Sequence, residues 1–181
     1  MNKRRVILLL ILIFVISLLA FFAISFIIKT KEKRAIADQL ITIPSFNFNT
    51  LKGTTFSKTD LKGNLNTVFI FFNSECDFCQ HEAQSITDNL LELKDMQILF
   101  VSFESREIIN DFSKTYNLNN NPHITFLNDS TQSFSSEFGV NSFPYIFIYG
   151  KDQMLIKKHK GQLNAQVIIK TLKNYNNVQK K

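Results

Sequence analysis

The 181-residue sequence has no Trp, two Cys, three His, three Pro and five Gly. So little Pro and Gly excludes a collagen-like repeat, and a hydrophobic content of 45% excludes a disordered or low-complexity chain. The scarcity of cysteine excludes lipid attachment near the N-terminus, because Cys76 and Cys79 are the only thiols and both lie far from the N-terminal apolar run. Basic charge is missing where nucleic acid would need it. The net charge is +6, but residues 1–34 carry all of it, through Lys3, Arg4, Arg5, Lys29, Lys31, Lys33 and Arg34 against Glu32. Residues 35–181 balance 14 basic against 14 acidic side chains. A neutral body has no electrostatic footprint for a phosphate backbone, so no nucleic-acid partner is expected.

What the N-terminal region does contain is an apolar run from Val6 to Ile28, 23 residues without charge, Gly or Pro. Only Ser17 and Ser25 are polar, and a helix can satisfy both hydroxyls on its own carbonyls. The run exceeds the ~20 residues a membrane-spanning helix needs, and a soluble helix apolar on every face would require a very large core around it. It is also longer than the ~7–15-residue apolar region of a cleaved signal. The small-residue triplet Ala35-Ile36-Ala37 is separated from it by the charged stretch KTKEKR. The sequence therefore predicts a basic flank (1–5), an uncleaved signal anchor (6–28) and a basic tether (29–43). Basic residues on both sides of the span leave its orientation undecided.

Residues 44–176 predict one α/β domain, followed by a tail at 177–181. Phe46 and Phe48 alternate with Asn47 and Asn49 as a short strand, and a turn at 51–54 leads to a second strand at Thr55–Ser57. The runs TVFIFF (67–72) and QILFVSF (97–103) read as strands buried on both faces. Between them, Cys79, Ala83, Ile86, Leu90 and Leu93 recur at helical spacing, predicting one helix over 76–93. Ser105 is placed to cap a helix over 105–117 that buries Ile108, Ile109 and Phe112. A strand at 123–127, a short helix at 133–138 and a hairpin turning at Gly150-Lys151-Asp152 follow. The last helix starts at Asn164, with Val167, Ile168 and Leu172 on one side.

Both cysteines sit in one C-x-x-C, Cys76-Asp77-Phe78-Cys79, after a buried strand and at the opening of a helix. In that context the first sulfur lies at the positive end of the helix dipole, which favours the thiolate that performs disulfide exchange. The second lies one turn further in, placed to resolve a mixed disulfide. Cys76 is thus the candidate nucleophile and Cys79 the resolving thiol, joined as a redox-active disulfide with no other cofactor and no metal. A purely structural bridge is disfavoured, because a loop of two residues restrains little chain. Glu75 and Asp77 set like charge beside Cys76 and oppose the dipole, which points to an electron donor rather than an oxidant.

The segments IPSFNFNTLKGTTFSKTDLKG, TVFIFFNSECDFCQHE and GVNSFPYIFIYGKDQ resemble the thioredoxin superfamily, in particular its membrane-anchored TlpA/ResA-like redoxins, over residues 44–172. The resemblance implies a thioredoxin-like fold with an N-terminal β-hairpin and a central insertion, here behind one transmembrane helix. It implies a monomer that exchanges disulfides with other proteins outside the cytoplasm, with the N-terminus inside, and draws electrons from a membrane-embedded thiol donor. It assigns Pro144 as a cis-proline facing the site and Glu82, three residues after Cys79, as an acid/base group. Asp77, Phe78 and Phe143 would line the substrate groove. The chain departs from the superfamily pattern in having Glu75 before the first cysteine, where Trp is usual, and Ile70 at the position of a buried acid. Peroxidase chemistry is disfavoured, since Asn73 and Phe69 occupy the positions where peroxiredoxins carry Thr and Pro. The competing reading is a copper protein on the same fold, with Cys76, Cys79 and His123 or His159 as ligands suited to Cu(I), although such relatives space their cysteines by three residues.

Overall fold

The computed structural model describes residues 3–179, without the side chains of Lys3 and residues 5–10. It divides into two units, residues 1–38 and 39–181.

In the first unit, α1 (Lys3–Gln39) is one continuous helix. Its segment Ile11–Gln39 is long and apolar enough to cross a membrane. Its large side chains from Ile11 to Ile28 are exposed. The predicted tether is helical rather than irregular as far as Gln39, because KTKEKRAIADQ contains strong helix formers and no Gly or Pro.

In the second unit, packing begins before Pro44. Leu40 and Ile43 are buried, Thr42 bridges Met154, and the Ile43 N–H donates to the Gln153 carbonyl at 3.2 Å. The strands are β1 (Asn47–Thr50), β2 (Thr55–Ser57), β3 (Asn66–Phe71), β4 (Met96–Ser102), β5 (Ile124–Asn128), β6 (Tyr145–Tyr149) and β7 (Leu155–Lys160). The helices are α2 (Asp77–Thr87), α3 (Arg106–Thr115), α4 (Ser133–Glu137) and α5 (Ala165–Gln179). The seven strands form one mixed sheet in the order β2-β1-β5-β4-β3-β6-β7. β3 runs parallel to β4 and β4 to β5, whereas β6 runs antiparallel to β3. β1–β2 is the N-terminal hairpin, and β5 extends the sheet beyond β4.

Every residue of β3 and β4 is buried, as their unbroken apolar runs require. On one face Val68, Ile70 and Phe72 pack with Cys79, Ala83 and Ile86 of α2, Ile109 and Phe112 of α3, and Ile168 and Leu172 of α5. The other face is aromatic. Phe134 of α4 stacks on Phe71 at 4.7 Å and on Phe138 at 4.0 Å, and Phe69 meets Phe46, Phe138 and Tyr149. A layer built from Phe accounts for a domain so rich in that residue and without Trp.

Three expectations need correction. The helix over 76–93 stops at Thr87 and resumes as a 3₁₀ turn at Leu90–Leu93. Asn89 leaves the helical region there and donates its amide to the Ser85 carbonyl at 2.7 Å, a bond that competes with the helical ladder. Ile108 is 45% exposed, since α3 buries Ile109, Phe112 and Ser113 instead. Val167 is 40% exposed, since α5 buries Ala165, Ile168, Ile169 and Leu172, spaced by three, one and three residues. The caps at Ser105 and Asn164 are present, accepting the N–H groups of Ile108 at 3.4 Å and Gln166 at 2.9 Å. α5 runs past Tyr175 to Gln179, held by the Tyr175 hydroxyl donating to Asp152 at 2.8 Å. The ends of the predicted flank and tail, residues 1–2 and 180–181, lie outside the described residues.

Candidate active site

β3 delivers the chain to the C-terminal edge of the sheet, and α2 starts there. Cys76 is the residue before the helix, with extended backbone (φ −84°, ψ 114°), and its carbonyl accepts the first helical N–H groups, from Cys79 at 2.9 Å and Gln80 at 3.0 Å. Its side chain is half-buried. Cys79, one turn later on the apolar stripe of α2, is fully buried. Both are free thiols. Burial pushes the Cys79 thiol well above its ordinary range, and the charges of Cys76 and Glu82 push it the same way. The Asn73 backbone opposes part of that rise.

Glu82 is completely buried on the same face of α2 as Cys79. Its Oε2 accepts the Leu163 backbone N–H at 2.6 Å, and its Oε1 has no partner. Desolvation pushes the carboxyl up to about 8, against the lowering effect of the Leu163 bond. Ile70 is a core residue of the same face, so the buried carboxyl beside the dithiol comes from α2 and not from β3.

The pairing Phe71↔Tyr145 sets Pro144 next to the end of β3, where the loop to Cys76 begins. The Phe143–Pro144 peptide bond is cis. Phe143 is half-buried, with its ring 4.7 Å from Phe71 and 5.7 Å from Phe103. Asp77 is exposed and Phe78 is 61% exposed, and Phe78 has no aromatic partner among the described residues. The structure therefore gathers Cys76, Cys79 and Glu82, sets Pro144 and Phe143 beside the neighbouring strand end, and leaves Phe78 on the surface. It does not gather His123 or His159 with the cysteines, and no cluster of three metal-ligating side chains occurs among the described residues.

Two contributors escaped the sequence reading. Leu163 acts through its backbone, which no pattern reveals. Glu104 holds the loop before Cys76 through Ser74, accepting its N–H at 2.8 Å and its hydroxyl at 2.7 Å. A signal for Glu104 existed: parallel β3 and β4 end at one edge, so the residues just after QILFVSF must lie beside those just after TVFIFF.

The fold, with a dithiol at a strand-to-helix junction, is thioredoxin-like. Solved structures share the fold. A secreted Mycobacterium tuberculosis disulfide oxidoreductase homologous to Escherichia coli DsbE matches at 21% identity and a TM-score of 0.60, over 71% of this chain and 95% of its own. The exposed lipoprotein thioredoxin of Streptococcus pneumoniae matches at 24% identity and a TM-score of 0.56, over 72% and 98%. The Mycobacterium tuberculosis peroxidoxin BcpB matches at 16% identity and a TM-score of 0.63, over 74% and 94%. No curated protein matches the sequence. The AhpC/TSA family model covers residues 41–169, and the chain belongs to that family.

Proposed function

We propose that this chain is a membrane-anchored thiol–disulfide oxidoreductase that reduces disulfides of extracytoplasmic proteins. The observation that carries the reading is the pairing of a half-exposed thiol at the start of α2 with a buried thiol one helical turn further on. The Cys76 thiolate attacks one sulfur of the partner's disulfide, that S–S bond breaks, and the departing sulfur takes a proton from water. Cys79 then gives its proton to the Glu82 carboxylate as its sulfur attacks Cys76, and the partner's second thiolate leaves. Two electrons pass from the dithiol to the partner, and a donor dithiol in the membrane must restore Cys76 and Cys79. Transfer to Glu82 keeps two negative charges from coexisting in a buried space. Pro144 and Phe143 would border the bound partner chain, with Asp77 and Phe78 at its exposed side.

The helix α1 supports the anchor, and the resemblance to envelope redoxins supports an inside N-terminus and an outside domain. The test is reduction of insulin disulfides by the full-length chain in detergent, with dithiothreitol as electron source. Wild type should turn over, Cys76→Ala should not, and hydrogen peroxide should not replace insulin. Equal turnover by wild type and Cys76→Ala would overturn the proposal, and so would turnover with peroxide alone.

A further inference from the structure

Residues 73–76 carry the attacking sulfur but have few bonds of their own. The Cys76 N–H donates to the Asn73 carbonyl at 3.2 Å, and the Glu75 N–H to Asn73 Oδ1 at 3.1 Å. The remaining restraint comes from the end of the neighbouring strand. Glu104 Oε2 accepts the Ser74 N–H at 2.8 Å and the Ser102 hydroxyl at 3.0 Å, and Oε1 accepts the Ser74 hydroxyl at 2.7 Å. Glu104 is itself fixed through its backbone. Its N–H donates to the Ser102 hydroxyl at 3.2 Å, and its carbonyl accepts the buried Asn128 amide at 2.7 Å. From the other side, the Ser74 carbonyl accepts the Gln80 side-chain amide at 2.9 Å, and the Gln80 N–H donates to the Cys76 carbonyl. Glu104 thus ties the ends of β4 and β5 to the loop that enters α2, by its carboxylate to Ser102 and Ser74 and by its backbone carbonyl to Asn128.

The two carboxyl oxygens of Glu104 are met by one N–H and two hydroxyls, and hydrogen bonds to a carboxylate are of the stronger, charge-assisted class. The segment that Glu104 holds has two duties. It sets Cys76 at the start of α2, and it joins that cysteine to the end of β3. Glu104 touches neither sulfur.

We propose that Glu104 is a positioning residue for disulfide exchange: through Ser74 it holds residues 73–76 so that the Cys76 sulfur stays at the helix start. The inference rests on the dithiol reading given above. Freed from Glu104, the segment would sample conformations in which Cys76 leaves the helix dipole. Both the rate of attack and the dithiol–disulfide equilibrium would then change.

The test compares wild type, Glu104→Ala, Glu104→Gln and Ser74→Ala as full-length chains in detergent. The readouts are the rate of reduced protein with 5,5′-dithiobis(2-nitrobenzoate) across pH, the equilibrium with glutathione, and thermal unfolding. Glu104→Ala should react about tenfold more slowly and shift the glutathione equilibrium at least about threefold, as the loss of hydrogen bonds to a charged group implies. Glu104→Gln should recover to within about threefold, because its amide oxygen still accepts the Ser74 N–H and its NH₂ can donate to the hydroxyl. Ser74→Ala, which keeps the N–H bond, should fall between them. If Glu104→Ala lowers thermal stability but leaves rate, pH profile and equilibrium within twofold of wild type, Glu104 is structural and the proposal fails. If Glu104→Ala does not fold, Ser74→Ala decides: about threefold slowing upholds the proposal, and no slowing overturns it. A wild-type chain that cannot reduce insulin would instead remove the dithiol reading, and this inference with it.

Discussion

Glu82 on α2 and Leu163, 81 residues further along the chain, are joined by a 2.6 Å hydrogen bond from the Leu163 N–H to Oε2. The bond leaves the second carboxyl oxygen buried and unpartnered. A single donor does not offset the loss of water, and the carboxyl is pushed up to about 8 from an ordinary 4.5. The folded state therefore holds this proton more tightly than the unfolded state does. The sign follows: between about pH 4.5 and 8 the unfolded chain ionises first, so this group's contribution to stability falls as pH rises and levels off above about 8. Glu82→Gln cannot ionise. Its melting temperature minus that of wild type should grow over that window, and a difference flat with pH would refute the assignment.

The same carboxyl should govern resolution. If Glu82 accepts the Cys79 proton, Glu82→Gln should slow release of a mixed disulfide by about a hundredfold, within the range of a lost general base. First attack by Cys76 should change little. Quenched-flow alkylation separates the two steps, and equal slowing of both would place Glu82 outside the proton transfer.

Cysteine roles follow from exposure. Cys76 is half-buried at the helix start and Cys79 has no exposed surface, so only Cys76 can meet a protein disulfide without unfolding α2. Cys79→Ala should therefore accumulate mixed disulfides with partner proteins, and Cys76→Ala should accumulate none. Non-reducing gels of cells expressing each variant read this directly, and the opposite pattern would reverse the roles.

Much of this architecture was legible because the chain states it in long, consistent signals. TVFIFF and QILFVSF could be little else than central strands, and the C-x-x-C between a strand and an apolar stripe located the thiols before any coordinates. Ile108 and Val167 show where the signal fails: each helix offers adjacent apolar residues, and a rotation of one position decides which is buried. The break at Asn89 escaped notice because an Asn side chain competing with the helix depends on local geometry, whereas the leucines beyond it kept the helical period. Glu104 and Leu163 were hidden for another reason. Their roles depend on which chain ends the sheet brings together, and that is a property of topology rather than of neighbouring residues.

Anchoring is testable apart from chemistry. The exposed apolar side chains of α1 from Ile11 to Ile28 have no use in water. Deleting residues 1–34 should move the protein from the membrane fraction to the soluble fraction, while a reporter fused after Lys181 of the intact chain should be active only outside the cytoplasm. Protease digestion of the domain from the cytoplasmic side alone would reverse the orientation.

We propose that electrons flow from this dithiol to its partner, on the strength of the buried thiol and the surface acids together. Strong oxidants of this fold stabilise their reduced form, chiefly by favouring thiolate. Here burial pushes the Cys79 thiol up, and Glu75 and Asp77 place negative charge on both sides of Cys76. Both acids are exposed, so water screens them, and their share is smaller than that of burial. A dithiol whose buried thiolate is disfavoured gives up its electrons more readily, so equilibration with glutathione should return a potential nearer roughly −270 mV than the roughly −120 mV of strong oxidants. A value above roughly −180 mV would reject the reductant reading. Asp77→His exchanges a negative for a titratable positive group beside Cys76 and should raise the potential by about 30 mV or more, about a tenfold change in the equilibrium constant. If Asp77→His leaves the potential unchanged while Glu82→Gln moves it, burial around Cys79 sets the poise and the surface acids do not.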